Sequence, residues 1–257
     1  DSRMGPRREK IVVVTRDAAQ AGTLAEALRR RGAEPRLCPT IAVTAPGSGA
    51  EVDAALADWA QVAGVLFPSA NAARFFLERL DARGWGAAAW TGKRVAAVGP
   101  ATRELLEARG VRVDRVPRRF TGADLAAELA AELPAPEGLA VVPSSDIARE
   151  ELAETLAAAG WTVRKVLTYR TAPVPPPPEE LARLAEADAV TFASPSAVRG
   201  FLAAAGTGFF RQHPRVAAVS IGPATTRALA PAGPPVLLEA DPHTVDGLVA
   251  ALETHFR

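Results

Sequence analysis

The chain has 257 residues, of which 48% are apolar and 23% are charged, a balance that is typical of globular proteins and excludes disordered or fibrous classes. This length is sufficient for one large domain or two ordinary ones, each with its own core. The formal net charge of +1 argues against electrostatic binding to nucleic acid or to a membrane surface.

The sequence carries no pattern of a metal centre or of an exported protein. The single cysteine, Cys38, excludes an intramolecular disulfide and a cysteine metal cluster. No metal-ligand spacing relates the three histidines, His213, His243 and His255. No apolar run is long enough for a membrane span or forms a signal-peptide core, so we expect a cytoplasmic protein. Residues 1–10 are interpreted as a loose tail, in which Met4 is a candidate for the natural start.

The first predicted elements form a strand–helix–strand unit. The β-branched run 11–14 is typical of a strand buried on both faces, and the helix that follows carries Leu24 and Leu28 and ends at Gly32. An extended stretch is predicted over 35–43.

A second copy of this unit follows at an offset of 128. It comprises a strand at 139–142, a turn at 143–146, a helix through Leu152 and Leu156 to Gly160, and a strand at 163–171.

Three further motifs occur twice. Residues 67–77 recur as 192–202, residues 98–102 recur as 221–225, and Thr121 before an apolar helix recurs as Thr244, at offsets of 125, 123 and 123. Near-constant offsets predict two structurally similar halves. The alternation of strands and helices predicts an α/β fold with parallel sheets, that is, two doubly wound domains.

Two domain arrangements are compatible with the duplication. The halves could be consecutive, with a boundary near 134–138, or they could exchange chain at the equivalent strands 36–43 and 164–171. The proline-rich run 173–178, a stiff connector, slightly favours the exchange.

Helix N-termini supply the first candidate binding residues, Ser69, Asn71, Ser194 and Ser196. N-capping alone explains serine and asparagine at such positions. A capped helix start nevertheless offers backbone N–H groups and a positive dipole end to a carboxylate, and strand carboxyl ends are the ligand face of this architecture.

The repeated Gly-Pro-Ala-Thr sequence also opens helices. It provides the candidates Gly99, Thr102, Gly222 and Thr225, where glycine permits close backbone approach or a positive φ. It is not a phosphate loop, and no Gly-x-Gly-x-x-Gly occurs, so the sequence gives no support for a nucleotide cofactor.

Three other residues occupy notable positions. Thr15 and Arg16 end the first strand, where an arginine can bind an anion bidentately although simple solvation is the commoner role. Tyr169, the only tyrosine, offers a hydroxyl donor, although strand tyrosines usually serve packing. With no Ser-His-Asp set or paired catalytic carboxylates recognisable, an enzyme of this sequence would depend on positioning and electrostatics.

Taken together, these motifs resemble uroporphyrinogen-III synthases, over residues 11 to about 252. The resemblance rests on the order and spacing of segments 14–16, 67–72, 97–102, 166–171, 192–198 and 221–225. Pro68 and Arg227 depart from the family, which more often has a small hydroxyl residue before the serine and a small residue after Thr226.

The resemblance implies the exchanged topology. Residues 1–37 and 172–257 would form one domain and 41–169 the other, with linkers at 38–40 and 170–171 and the active site in the cleft between the domains. It also implies cyclisation of hydroxymethylbilane to uroporphyrinogen III without metal or cofactor. Tyr169 is the implied proton donor, and the turns at the other candidate residues would bind the substrate carboxylates.

The resemblance further implies a monomer that acts on a small molecule and not on nucleic acid or a membrane; transient contact with the preceding pathway enzyme is compatible with this. A non-catalytic tetrapyrrole sensor is the main alternative, since some relatives are fused to regulatory domains. A periplasmic type of receptor is disfavoured by the lack of a signal sequence.

Overall fold

The computed structural model describes residues 8–257, so Met4 and most of the predicted tail lie outside the described residues. Contacts divide the chain into two compact units. The first comprises the described residues up to Ala42 together with Ala172–Arg257, and the second is Val43–Thr171. The consecutive arrangement is therefore not adopted, since the segments on both sides of 134–138 belong to the second unit.

The first unit contains five strands and the helices that connect them. Its strands are β1 (Lys10–Val14), β2 (Ala33–Leu37), β8 (Ala189–Phe192), β9 (Ala217–Ser220) and β10 (Leu237–Glu239). Its helices are α1 (Ala18–Arg30), α7 (Pro178–Arg183), α8 (Pro195–Ala205), α9 (Phe209–Gln212), α10 (Pro223–Leu229) and α11 (Val245–Phe256).

The sheet of the first unit has the order β10-β9-β8-β1-β2, with parallel pairing throughout. Alternate residues of β1 face opposite cores. Val13 packs in the core under α8 and α9, whereas Val12 and Val14 pack in the core under α1 and α11. Burial on both faces explains the uninterrupted β-branched sequence of this strand.

The second unit has the same construction. Its sheet comprises β3 (Ile41–Thr44), β4 (Val62–Phe67), β5 (Arg94–Ala97), β6 (Leu139–Ser145) and β7 (Thr162–Pro173), of which β3 and β7 extend past the boundaries of the unit at Val43 and Thr171. Its helices are α2 (Ala50–Ala57), α3 (Ala70–Ala82), α4 (Pro100–Ala108), α5 (Gly122–Glu132) and α6 (Glu151–Ala158).

The sheet of the second unit has the order β3-β7-β6-β4-β5, and the β4–β5, β4–β6 and β6–β7 pairs are parallel. Phe67 of β4 packs with Phe76 and Trp90 on one face, and Leu66 packs with Leu125 of α5 on the other. Helices thus cover both faces of each sheet, and the predicted class, two doubly wound α/β domains with the chain crossing between them, is confirmed.

Three sequence predictions differ from the structure. The tail ends earlier, because Lys10 begins β1 and Arg8 donates to Asp188 at 2.7 Å. The extended stretch 35–43 is two strands, β2 and β3, separated by residues 38–40 and belonging to different sheets. The turn expected at 143–146 is delayed, because β6 continues through Ser145 in partnership with β7.

The predicted helix starts are confirmed. Ser69, Thr121, Ser194 and Thr244 are N-caps whose side chains each accept a hydrogen bond from the backbone N–H three residues later. Within residues 8–257, no helix is both long and apolar enough to cross a membrane.

Candidate functional site

In the Val43–Thr171 unit, the candidate residues lie where β4, β5 and β7 approach the carboxyl edge of the sheet. Ser69 follows β4 and caps α3, and Gly99 follows β5 and caps α4. Tyr169 lies in β7, directly opposite Ser145 of β6. Parallel strands present their carboxyl ends at one edge, which is why residues distant in sequence meet here.

The hydroxyl of Tyr169 lies 3.3 Å from the Oγ atom of Ser69. The same Ser69 oxygen accepts a hydrogen bond from the backbone N–H of Ala72 at 3.1 Å. Tyr169 and Ser69 are both half-buried. The two hydroxyls therefore share a hydrogen bond at the start of α3 without being sealed in the core.

A stack of side chains supports the tyrosine ring. The rings of Phe75 and Tyr169 are parallel to within 14°, with centroids 5.6 Å apart. The guanidinium of Arg74 lies 4.3 Å from the centroid of Phe75 and donates to Oδ1 of Asn71 at 3.2 Å. The first turns of α3 thus connect Asn71 to the tyrosine ring through Arg74 and Phe75.

At the two Gly-Pro-Ala-Thr turns, the groups accessible at the helix N-terminus are backbone groups and not threonine hydroxyls. Thr102 and Thr225 are buried, at 4% and 2% exposure, near the starts of α4 and α10. Gly99 and Gly222 have extended backbones, with φ of −144° and −179°, so the positive φ allowed from sequence is not adopted. Any binding to these turns would use the N–H groups that a first helical turn leaves unpaired.

In the first unit, the corresponding helix start is at Ser194. Its Oγ accepts from the backbone N–H of Ala197 at 3.1 Å and lies 2.9 Å from Oγ of Ser196. Both serines are partly exposed. The start of α8 thus corresponds to the start of α3. Ser194 takes the capping position of Ser69, and Ser196 takes the position of Asn71.

Thr15 and Arg16 lie between β1 and α1. Thr15 is fully buried and its hydroxyl donates to the carbonyl of Thr191 in the adjacent strand at 2.7 Å. This hydroxyl joins β1 to β8, and the carbonyl of Thr15 accepts from the backbone N–H of Thr40 at 3.3 Å, so both groups have partners within the protein.

The guanidinium of Arg16 is held by Gln20 of α1, the helix that follows it. Nε and Nη2 donate to Oε1 of Gln20 at 3.0 and 2.6 Å. Burial lowers the pKa of Arg16 from its ordinary value, and the nearby charge of Asp17 partly offsets that effect. Arg16 is thus a partly desolvated cation at the carboxyl edge of the sheet.

Sequence reasoning missed Gln20, Arg74 and Phe75 as neighbours of candidate residues. Gln20 follows Arg16 by four positions and Arg74 follows Asn71 by three, the spacings at which helical side chains meet. That signal was available in the sequence. The contact between Phe75 and Tyr169 is long-range and carries no such signal.

Metal ligands do not cluster in the described part of the chain, where no three His, Cys, Asp or Glu side chains group in a way that could hold a metal ion. The chemically distinctive groups at the strand ends are instead hydroxyls, helix N–H groups and arginine. Such donors suit carboxylates.

Comparisons with known proteins agree with this picture. A family model described as uroporphyrinogen-III synthase HemD matches residues 22–250. A uroporphyrinogen-III synthase of Synechococcus elongatus is 30% identical over 256 residues, covering 95% of this chain and 94% of that protein. One of Chlorobaculum parvum is 30% identical over 246 residues, covering 93% and 95%.

Two solved structures share the fold. A mutant uroporphyrinogen III synthase of Thermus thermophilus aligns with a TM-score of 0.64 and 20% identity, covering 95% of this chain and 98% of that one. The Helicobacter pylori enzyme aligns with a TM-score of 0.62 and 15% identity, covering 97% and 100%. Since the family model spans most of the sequence, the resemblance is confirmed, and the chain belongs to the uroporphyrinogen-III synthase family.

Proposed function

We propose that this protein is a cyclising lyase of porphyrin and heme biosynthesis that converts hydroxymethylbilane to uroporphyrinogen III and water. The observation that carries the proposal is the family match over residues 22–250, joined to 30% identity with a named synthase over nearly the full length of both chains. The tetrapyrrole-sensing alternative receives no support from these matches.

The proposed reaction inverts ring D of the linear tetrapyrrole. Loss of the terminal hydroxyl as water leaves an azafulvene on ring A. The substituted α-carbon of ring D then bonds to the ring A methylene carbon and gives a spirocyclic pyrrolenine. The bond from that α-carbon to the ring C methylene breaks, the free α-carbon of ring D bonds to this methylene, and loss of a proton restores the pyrrole.

Tyr169 is the proposed proton donor to the departing hydroxyl. The residue is half-buried and its hydroxyl shares a hydrogen bond with Ser69, so the hydroxyl is oriented by a neighbour outside the fully buried core. A phenolic hydroxyl is a hydrogen-bond donor that can pass its proton to a leaving group. Positioned proton donation is a recognised source of rate enhancement.

The substrate carries eight carboxylates, and the candidate binding groups are of the kind that carboxylates require. We propose that unpaired backbone N–H groups in the turns at Thr15, Ser69, Gly99, Ser194, Gly222 and Thr225 bind some of them. We propose that Asn71, Thr102, Ser196 and Arg16 complete this set. Several weak contacts along the flexible tetrapyrrole favour a folded conformation of the substrate. In that conformation, formation of the spirocyclic intermediate competes with direct ring closure.

We further propose that the protein acts as a monomer in the cytoplasm, on a small molecule and without nucleic acid or membrane. The net charge of +1 supports the part of this proposal that excludes nucleic acid and membranes as partners. The molar mass of the purified protein in solution, measured by light scattering, tests whether it is a monomer. Transient binding to the enzyme that supplies the substrate is tested by comparing channelled with free substrate in a coupled assay.

The primary test is analysis of the product isomer. Freshly generated hydroxymethylbilane is mixed with the protein, the products are oxidised, and type I and type III porphyrins are separated by chromatography. We expect mainly type III, above controls without protein and with heat-denatured protein. Only type I, with or without binding of the tetrapyrrole, would overturn the proposed activity.

A further inference from the structure

Arg16 is held in place by a neutral side chain. Its guanidinium donates twice to the amide oxygen of Gln20, one turn along α1. Among residues 8–257, no carboxylate forms an ion pair with Arg16 within 4.0 Å, and Asp17 acts on it only as a nearby charge. The positive charge of Arg16 therefore remains without a direct counter-ion in the described structure.

Other arginines of the chain are held differently. Several are anchored by carboxylates, including Arg31 by Glu253 and Arg164 by Asp58, with contacts of 2.6 and 2.7 Å. Arg36 is held by two, Glu34 and Glu186. These pairs neutralise the arginine and are sufficient to explain its position as structural.

The difference has an electrostatic consequence. A carboxylate would fix the guanidinium of Arg16 and also cancel its charge, whereas an amide oxygen fixes it and leaves the charge in place. A partly desolvated cation without a counter-ion is unfavourable in the free protein. An anionic ligand that supplies the missing carboxylate would remove this penalty on binding.

We propose that Gln20 is a positioning residue that orients Arg16 toward a substrate carboxylate while leaving the arginine charge uncompensated. This inference rests on the proposed function, and specifically on Arg16 as a substrate-binding residue. It assigns two roles to the amide of Gln20: the amide orients the guanidinium of Arg16, and it leaves the positive charge of Arg16 uncompensated. Different substitutions of Gln20 separate these two roles.

Two variants of the full chain provide the test. Gln20→Met keeps the length and helix preference of the side chain but removes the acceptor oxygen. Gln20→Glu keeps an acceptor at the same place and adds a neutralising charge. We expect each variant to raise KM for hydroxymethylbilane about tenfold, with kcat within about twofold of wild type.

Glu26→Gln is the matched control. Glu26 lies on the same helix and pairs with Arg30 in an exposed i,i+4 contact, so its loss tests a change of charge on α1 away from the strand end. We expect KM to be unchanged. In an Arg16→Met background, Gln20→Met should add less than about twofold to KM, because the group it orients is gone.

The outcomes separate this inference from the proposed function. A wild-type protein that forms no type III product overturns the function itself. With an active wild type, normal KM in Gln20→Glu overturns the inference, since a purely structural anchor tolerates a carboxylate. Normal KM in Gln20→Met also overturns it, since the amide would then not be needed. Thermal melting of every variant confirms that a raised KM is measured on folded protein.

Discussion

Ser69 and Tyr169, a hundred residues apart in sequence, share a hydrogen bond of 3.3 Å between their hydroxyl oxygens. Ser69 also accepts from the backbone N–H of Ala72, so its oxygen is oriented by α3 while its proton remains to be donated. If Ser69 donates to Tyr169, the phenol proton is directed away from Ser69. The pair thus joins a helix cap to the proposed proton donor.

Replacement of Tyr169 by Phe removes the proposed donor and preserves the ring that stacks on Phe75. We expect kcat to fall by about tenfold or more, the lower range for one general-acid contact. KM should change little, because the carboxylate contacts are made elsewhere. Steady-state kinetics with isomer analysis measure this effect, and an unchanged kcat would discard the role of Tyr169.

Ser69→Ala separates capping from contact with the tyrosine, and Ser194→Ala is its control. Both serines cap a helix in the same way, and Ser69 in addition contacts the hydroxyl of Tyr169. Each variant should lose about 1 kcal/mol of unfolding free energy. Only Ser69→Ala should also lower kcat. Equal kcat losses in both variants would contradict a specific pairing of Ser69 with the tyrosine.

Phe75 should affect catalysis through the orientation of Tyr169. Phe75→Leu retains an apolar side chain but removes the parallel ring contact with Tyr169, worth about 0.5–1.5 kcal/mol in aromatic pairs. We expect a kcat smaller than wild type but larger than that of Tyr169→Phe. In the Tyr169→Phe background the same change should have little further effect on kcat, and full additivity would argue against positioning.

Periodic features of the sequence were sufficient to predict the fold class and the helix starts, whereas the arrangement of the two domains followed only from the family resemblance. Burial on both faces of β1 and β4 produces runs of apolar residues, and Ser69 and Ser194 mark the following helices as caps. These local signals were duplicated, so each copy strengthened the other. The fold class and the helix starts followed from them.

Features that depend on tertiary pairing were not predictable in this way. The sequence over 35–43 has a continuous extended pattern, so the break at residues 38–40, where the family resemblance implied a linker, does not follow from local sequence. The burial of the Thr15 hydroxyl against Thr191 is likewise a contact between distant segments. Local sequence predicts where a strand ends, but it does not predict which residues of the adjacent strand the side chains at that end will contact.

Cys38 should behave as an inert thiol in the native protein. It is 1% exposed, and burial, with a smaller effect of Glu180, raises its pKa to about 11. The thiolate is the reactive form, so alkylation at pH 8 should be much slower in native protein than in denaturant. Mass spectrometry after iodoacetamide treatment measures this. Equal rates in both states would contradict the burial.

The same raised pKa has a consequence for stability. Below the unfolded-state pKa, near 9, the thiol is protonated in both states, so its ionisation does not affect the free energy of unfolding. As the pH rises from 9 toward 11, the unfolded chain releases the proton and the folded protein retains it, so stability should fall. Urea unfolding across this range, with Cys38→Ala as control, should show a shallower loss in the variant.

Gly200 is where α8 meets the chain segment between β2 and β3. A Cβ atom on Gly200 would lie 2.3 Å from the carbonyl oxygen of Thr40. That oxygen accepts from the backbone N–H of Val174 at 3.0 Å, and the Thr40 hydroxyl donates to Ala197 of α8 at 2.8 Å. The atom that an added Cβ would meet is therefore a main-chain oxygen held by a hydrogen bond, which cannot move aside as a flexible side chain could.

Gly200→Ala should destabilise the protein by about 1–3 kcal/mol, the usual cost of overpacking, because the helix or the Thr40 segment must shift. Gly22→Ala is the matched control. Gly22 lies in α1 with no atom within 4 Å of its added Cβ, so the same substitution should stabilise by up to about 1 kcal/mol through helix propensity. Urea unfolding of both variants measures the two signs. A stabilising Gly200→Ala would show that the contact with Thr40 yields easily.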